Sequence, residues 1–412
     1  MDTLKVRDAE DVEQAVRAAI ASEQPLEITG HGTKRQIGQP MATNALLDLS
    51  ALNAVISYEP NELIITVEAG APLADVKSLI DSKNQQFAFE PVDTALLLGT
   101  PGGGTIGGMI GAGLAGPRRI QAGAARDHLL GAHAVSGFGD SFKAGGKVVK
   151  NVTGYDLCKL LAGSWGTLAV MTEVTLKVMP RPESERTLVL RGLDDATANR
   201  AMTAALGSPF DVSGAAHVPN SIFRDAGSGL GDVGSKREAA TLLRLEGITA
   251  SATHRAAALA KALSPFGMAE ILEDDASAAL WAALRDVEPF AAKGALGAWP
   301  VWRIVCPPAS GGALGEALAR DSGGDVIYDW GGGLIWAALP PNADAHAALL
   351  RPRVEAVGGH AMLLRASAEV RRNVDVFHPP KSGVAALSER VRLGFDPKGI
   401  LNRGRMKRGA AA

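Results

Sequence analysis

Apolar residues recur at helical spacing between Asp8 and Ser22, where Val12, Ala15, Val16, Ala19 and Ile20 share one face. The stretch predicts an amphipathic helix with Asp8 as its N-cap. A short strand over PLEIT follows and runs into Gly30-His31-Gly32-Thr33-Lys34. Strand-like runs at 46–50 and 62–70, a helix over Leu73–Ser82 and a closing strand at 87–91 complete a first unit of α+β rather than strict βαβ order. Residues 129–146 read as a hairpin turning at Gly137–Asp140. The block 147–182 ends in an alternation of Val174, Leu176 and Val178, and Pro180 and Pro182 then mark a boundary.

From 187 to 370 the pattern changes. Alanine-rich helices near 194–206, 252–263, 277–286 and 342–357 alternate with strands over TLVLRGL, TLLRLEG, WRIVCPP, DVIYDW and LIWAAL. This predicts an antiparallel sheet with helices on one face, a second α+β domain. Gly227–Gly234 and Gly331–Gly333 read as surface turns, and the tail GFDPKGILNRGRM as a turn followed by an apolar hook.

Between the two halves lies Gly99–Gly116, in which nine of eighteen residues are glycine. Glycine loses the most backbone entropy on ordering, so the run predicts neither helix nor strand interior. Linkers of Gly and Ser lack embedded apolar residues, whereas this run carries Ile106, Met109, Ile110 and Leu114. It reads as a loop sunk into a core, the bed of a large planar cofactor. Gly102–Gly107 matches the G-x-G-x-x-G dinucleotide pattern, but Pro101 precedes it where a strand is needed. The turn Gly30–Lys34, at the end of a strand, presents backbone N–H groups in one direction, a nest suited to an anion, with Lys34 adding charge.

Net charge −2 and scattered basic residues give no footprint for nucleic acid, apart from a short tail with Arg403, Arg405, Lys407 and Arg408. No apolar run reaches the roughly eighteen residues of a membrane span. The N-terminus lacks the pattern of a signal peptide, and the expected location is cytoplasmic. Cys158 and Cys306 are the only cysteines, too few for a four-thiolate iron–sulfur cluster, and the eight histidines show no metal-binding spacing. His217, His254, His346 and His360 are isolated and read as surface or capping residues.

Three blocks, ITGHGTKRQIG, TIGGMIGAGLAGPRRIQAGAARDHLLG and GGKVVKNVTGYDLCKLLAGSWGTLAVMTEVTLKVMPRPE, together resemble the FAD-binding domain of the vanillyl-alcohol-oxidase/p-cresol-methylhydroxylase superfamily. The closing FDPKGILNRGRM is similar to the segment with which 2-hydroxyacid oxidases of that superfamily return to the flavin domain. FEP at 89–91, AGPRR at 115–119 and GGHAMLLRA at 358–366 resemble the FAD-binding E subunits of bacterial glycolate oxidases (glycolate dehydrogenases). The resemblance implies an α+β fold in three parts: a two-part FAD-binding domain at 1–182, a smaller α+β domain with an antiparallel sheet at 183–370, and a segment at 371–412 returning to the FAD domain. It assigns Gly30, His31, Gly32, Thr33 and Lys34 to the FAD pyrophosphate. Thr105, Ile106, Gly107, Gly108 and Met109 would lie along the isoalloxazine, with Gly103 and Gly104 beside them, and Gly166 and Val170 would line the adenosine side. Substrate-oxidising relatives carry paired histidines and acidic residues in the second domain, which this chain lacks, and often Glu where it has Trp165.

The function implied is that of an FAD-binding subunit of a heteromeric 2-hydroxyacid dehydrogenase, converting glycolate to glyoxylate. FAD would be noncovalent. Electrons would leave through an iron–sulfur subunit, with a second FAD-dependent subunit in the same complex and membrane association only through that complex. Two alternatives stay open. One is a stand-alone flavin dehydrogenase using Arg118, Arg119 or Arg126 as a carboxylate clamp. The other is a non-catalytic scaffold subunit with a vestigial flavin site. The tryptophan-rich stretches at 299–302 and 329–336 are candidates for a partner surface.

Overall fold

The structure, a computed structural model, describes residues 2–43, 45–146, 155–223 and 229–408. Residues 147–154 and Gly227, used in the sequence reading, lie outside them. The helix Ala9–Ser22 begins where expected: Asp8 accepts a hydrogen bond from the Asp11 N–H at 2.8 Å. Its buried face of Val12, Val16 and Ala19 packs on a three-stranded parallel sheet, with Ala45–Asp48 between Asp2–Lys5 and Leu26–Thr29.

A five-stranded antiparallel sheet follows, in the order Val55–Glu59, Ile64–Glu68, Ala169–Lys177, Leu129–Ser136, Ser141–Gly145. The predicted hairpin and the alternating strand through Val174 and Leu176 are both in it. The helices Leu73–Asp81 and Ile106–Ala112 share its core. Residues 87–91 form no strand; the pairing there consists of Gln85–Gln86 with Met179–Pro180 and a single bridge from Pro91 to Ala115.

The third sheet has eight strands, all antiparallel, running in space from Ala269–Glu273 through Ser184–Arg191, Ala240–Gly247, Val212–Val218, Asp325–Asp329, Leu334–Ala338 and Val301–Val305 to His360–Arg365. Strand alternation divides its side chains between two faces. Leu188, Leu190, Leu243 and Leu245 meet the helices Asp195–Leu206 and Thr249–Ala262, and Trp302, Ile304 and Ile335 meet Pro308–Ser322 and Ala347–Ala356. Val189, Leu242, Val301 and Trp336 point the other way. They pack against the helix Asp274–Arg285 and against Ile37, Leu97, Leu98, Leu114 and Trp165 from the first half of the chain. Helices on one face only is therefore corrected: both faces are covered, because the second face is the seam with the first half.

Four further expectations are overturned. The glycine run is not helix-free, since Ile106–Ala112 is helical. Gly331 and Gly332 are buried in a turn under the sheet rather than on the surface. Trp302, Trp330 and Trp336 are all buried, so the tryptophan stretches fill the core and offer little to a partner. His217 is fully buried, with Nδ1 2.9 Å from the Thr241 hydroxyl and Nε2 3.4 Å from Asp195.

Candidate functional site

The strand Leu26–Thr29 delivers the chain into the turn Gly30–Lys34, which forms one wall of a long groove. The opposite wall is the glycine helix. Thr105 caps it, accepting from the Gly108 N–H at 3.2 Å. Its first turn lies flat on the end of the strand Ile64–Glu68: Gly107 N–H donates to the Ala69 carbonyl at 2.7 Å and Ile106 N–H to that of Ala71 at 3.0 Å. A Cβ at Gly107 would stand 2.8 Å from the Ala69 Cβ, so only glycine permits this approach. Propensity is overridden here by tertiary packing.

The groove brings together most of the residues singled out in the sequence. Gly30, His31, Gly32, Thr33, Lys34, Thr105, Gly107, Gly108 and Gly166 line it. Gly104 lies at its edge, its missing side chain facing Thr33 Oγ1 at 3.4 Å and Lys34 Nζ at 3.6 Å. Gly103 has a left-handed backbone (φ 83°) and faces open space. Ile106 and Met109 turn their side chains down into the core of the five-stranded sheet, and Val170 is buried with Leu26 and Leu47. These three support the groove from beneath.

Sequence reasoning missed several lining residues: Leu49, Ala69, Met171, Trp165, Asn402 and Arg405. Asn402 ties the tail to two walls, its Oδ1 accepting from Ile28 N–H at 2.8 Å and its Nδ2 donating to the Trp165 carbonyl at 2.7 Å. Arg405 donates to the Lys34 carbonyl at 2.7 Å and sits over the Trp165 ring, while its buried Nε has no partner among the described residues. Burial pulls the Arg405 guanidinium down to about 10 against the pull of Glu27, and burial likewise lowers the Lys34 ammonium, with Asp93 opposing. A desolvated cation shifts this way because its charged form has lost water. The groove thus holds two cations whose solvation is incomplete.

Residues 3–145 match the FAD binding domain family. Over 395 residues, 95% of this chain and 95% of the relative, the sequence is 29% identical to glycolate oxidase subunit GlcE of Escherichia coli (strain K12). These similarities make the chain an oxidoreductase that uses FAD. A second relative, glycolate oxidase subunit GlcD of Bacillus subtilis (strain 168), is 29% identical over 184 residues, 44% of this chain but 38% of that protein. In fold, the chain is similar to p-cresol methylhydroxylase with substrate bound, with a TM-score of 0.72 over 98% of this chain and 88% of that one at 14% identity. Its fold is thus the FAD-binding α+β type with an antiparallel second sheet, and its cofactor is FAD.

The three arginines considered for a carboxylate clamp go to different places in this oxidoreductase. Arg118 is buried in an ion-pair network, bonded to Glu246 and 3.7 Å from Glu90. Arg126 is exposed beside Asp127. Arg119 is half-buried and stacks on Trp330, 4.5 Å from the ring centroid. The two cysteines lie in separate cores, each thiol pushed up to about 11 by burial. Among the described residues no helix is long and apolar enough to cross a membrane.

Proposed function

We propose that this chain is the FAD-binding subunit of a heteromeric 2-hydroxyacid dehydrogenase that converts glycolate to glyoxylate. The observation that carries the reading is the similarity to a glycolate oxidase subunit along almost the whole of both chains. The groove fits the cofactor. Its two incompletely solvated cations, Lys34 and Arg405, suit a diphosphate, and a floor without side chains at Gly107, Gly108 and Gly111 suits a flat ring. The turn Gly30–Lys34 would hold the phosphates through backbone N–H groups, with Gly103, Gly104 and Thr105 at the ring end and Gly166 toward the adenosine. Ile106, Met109 and Val170 would act only as supports. Bound FAD supplies the acceptor for the hydride lost from the alcohol carbon. His31 is the one histidine lining the groove, and we take the attachment to be noncovalent.

Electrons then pass to an iron–sulfur subunit, because this chain's two cysteines cannot hold such a cluster, and a second flavin subunit completes the complex. The complex would work in the cytoplasm, with domains at 1–182, 183–370 and 371–412. Co-expression with a second flavoprotein and an iron–sulfur protein from the same source should give a stable complex with glycolate-dependent dye reduction. Equal turnover by the purified chain alone would overturn the subunit reading. Acid precipitation should release the flavin; colour staying in the pellet, and lost in His31→Ala, would overturn noncovalent attachment.

A further inference from the structure

Beyond the groove, at the C-terminal end of the glycine helix, a second cleft of about 220 Å³ opens between the two halves of the chain. It is lined by Gly113, Ala162 and Gly163, close in the chain to Gly111, Ala112 and Trp165 of the flavin groove, and the Trp165 N–H donates to the Gly111 carbonyl at 2.9 Å. Its walls carry four basic side chains, Arg119, Arg126, Arg303 and His360, and the indole of Trp330. Arg303 comes from the strand Val301–Val305 and points to the seam face of the eight-stranded sheet, opposite to Trp302 and Ile304.

Both Arg119 and Arg303 lie against the same indole, 4.5 and 5.0 Å from its centroid. Neither has a carboxylate within 4 Å or a side-chain hydrogen bond among the described residues, and the Arg303 Nε is buried without a partner. Burial, reinforced by Arg119, pulls the Arg303 guanidinium down to about 10. The nearest charge relief is Asp329, itself buried and pushed up to about 7, so it is only partly ionised near neutrality. Other arginines deep at this seam have partners: Arg244 holds Glu90 in a two-pronged pair at 2.7 and 2.9 Å, Arg118 holds Glu246, and Arg365 donates to the carbonyls of Leu97, Leu296 and Trp299. Two adjacent, partly desolvated cations with no carboxylate paired to either among the described residues are costly. They make sense where a ligand brings the negative charge.

We propose that Arg119 and Arg303, stacked on Trp330, form a binding site for a small carboxylate anion. A planar fork such as guanidinium suits a carboxylate's two oxygens, and the cleft is small and adjoins the flavin groove. That the anion is a 2-hydroxyacid such as glycolate rests on the function proposed above; the anion site does not.

Calorimetric titration of the intact chain with glycolate, and separately with inorganic phosphate, tests it. Glycolate should bind at one saturable site and raise the melting midpoint, and Arg119→Gln and Arg303→Met should each weaken it tenfold or more. Without ligand, Arg303→Met should melt no lower than the wild type, since an uncompensated cation has been removed. Arg119 lies at the rim, so its variant remains informative if Arg303→Met fails to fold. Flavin content, read from absorbance in the same samples, should be unchanged in both. Absence of saturable glycolate binding, equal affinity in Arg119→Gln, or tighter binding of phosphate would overturn the proposal. A colourless protein that still binds glycolate through these arginines would instead overturn the flavin-subunit reading and leave the site standing.

Discussion

At the scale of single residues, neighbouring glycines have different tasks. Gly107 is needed for packing, since a Cβ there would meet both the Ala69 Cβ at 2.8 Å and the Ala69 carbonyl at 2.9 Å. Gly108 faces the groove, where the nearest obstacle to a Cβ is the Thr105 hydroxyl at 3.2 Å. Gly107→Ala should therefore cost about 1–3 kcal/mol of stability as overpacking, read as a lower denaturation midpoint. Gly108→Val should stay close to the wild type in stability while losing flavin, read from absorbance. That the motif TIGG sits on a core was legible in the sequence, and it lines the groove. That its two glycines serve different neighbours was not, because Ala69 is remote in the chain and its position depends on the sheet. Buried acids offer a second residue-scale prediction. Asp329 and Glu185 are both pushed up to about 7 by burial. A carboxyl whose pKa is raised on folding binds its proton more tightly in the native state, so its stabilising effect is lost as pH rises from about 4 through 7. Asp329→Asn, which keeps an acceptor for the Trp330 N–H now bonded at 2.7 Å, should be more stable than the wild type at pH 8 and flatten this decline.

At the scale of elements, the chain uses glycine to bring helices close rather than to break them. The helix Pro308–Ser322 was invisible to pattern reading because Gly311, Gly312 and Gly315 interrupt its apolar face. Yet a Cβ at Gly315 would stand 2.4 Å from the Tyr328 ring, so the glycine marks a contact that only the fold reveals. The tail shows the complementary case. Its turn was legible: Asp396 accepts from the Ile400 and Leu401 N–H groups, each at 2.9 Å, and fixes the hook. Its destination was not. Leu26 N–H donates to the Ile400 carbonyl at 2.8 Å and Asn402 N–H to that of Leu26 at 3.0 Å, so the hook docks on the strand feeding the groove. Asn402→Ala removes two buried side-chain bonds and leaves the Ile28 N–H and the Trp165 carbonyl unmatched. Unpaired buried groups cost about 1–3 kcal/mol each. The variant should lose flavin affinity as well as stability, whereas a change confined to the exposed helix Ser382–Phe395, such as Leu387→Ser, should alter neither.

At the scale of the whole molecule, the two halves are joined by apolar packing and by one charged knot. Glu90, from the FEP motif of the first half, receives Arg244 from the eight-stranded sheet, while Arg118 reaches across to Glu246. Arg244 also stacks on Trp281, 4.6 Å from the ring centroid. The sequence showed Glu90 and Arg118 within family-like motifs, FEP and AGPRR, without showing that both meet partners, Arg244 and Glu246, in the second half; an ion pair 154 residues apart has no local signature. Burial opposes ionisation of Glu90, but Arg244, and then Arg118, win and hold its carboxyl down at about 2. A depressed carboxyl stabilises the native state above its ordinary pKa, about 4.5, and that contribution fades as pH falls toward 2. The seam should therefore weaken in acid, over a window below the one in which Asp329 and Glu185 act. Glu90→Gln removes the charge while keeping the shape, leaving Arg244 buried with Glu246, at 3.5 Å, as its remaining carboxylate within 4 Å among the described residues. Breaking one side of such a pair costs about 3–5 kcal/mol, whereas replacing both sides with apolar groups is often neutral. Glu90→Gln and Arg244→Met should each be strongly destabilised in denaturant melts at pH 7, and Glu90→Met with Arg244→Met together should recover much of the loss. Between pH 4.5 and 2.5 the wild type should lose stability faster than that double variant. If both proteins showed the same acid slope, the knot would not be what holds the halves together, and the apolar face around Leu97, Leu114 and Trp281 would carry the seam alone.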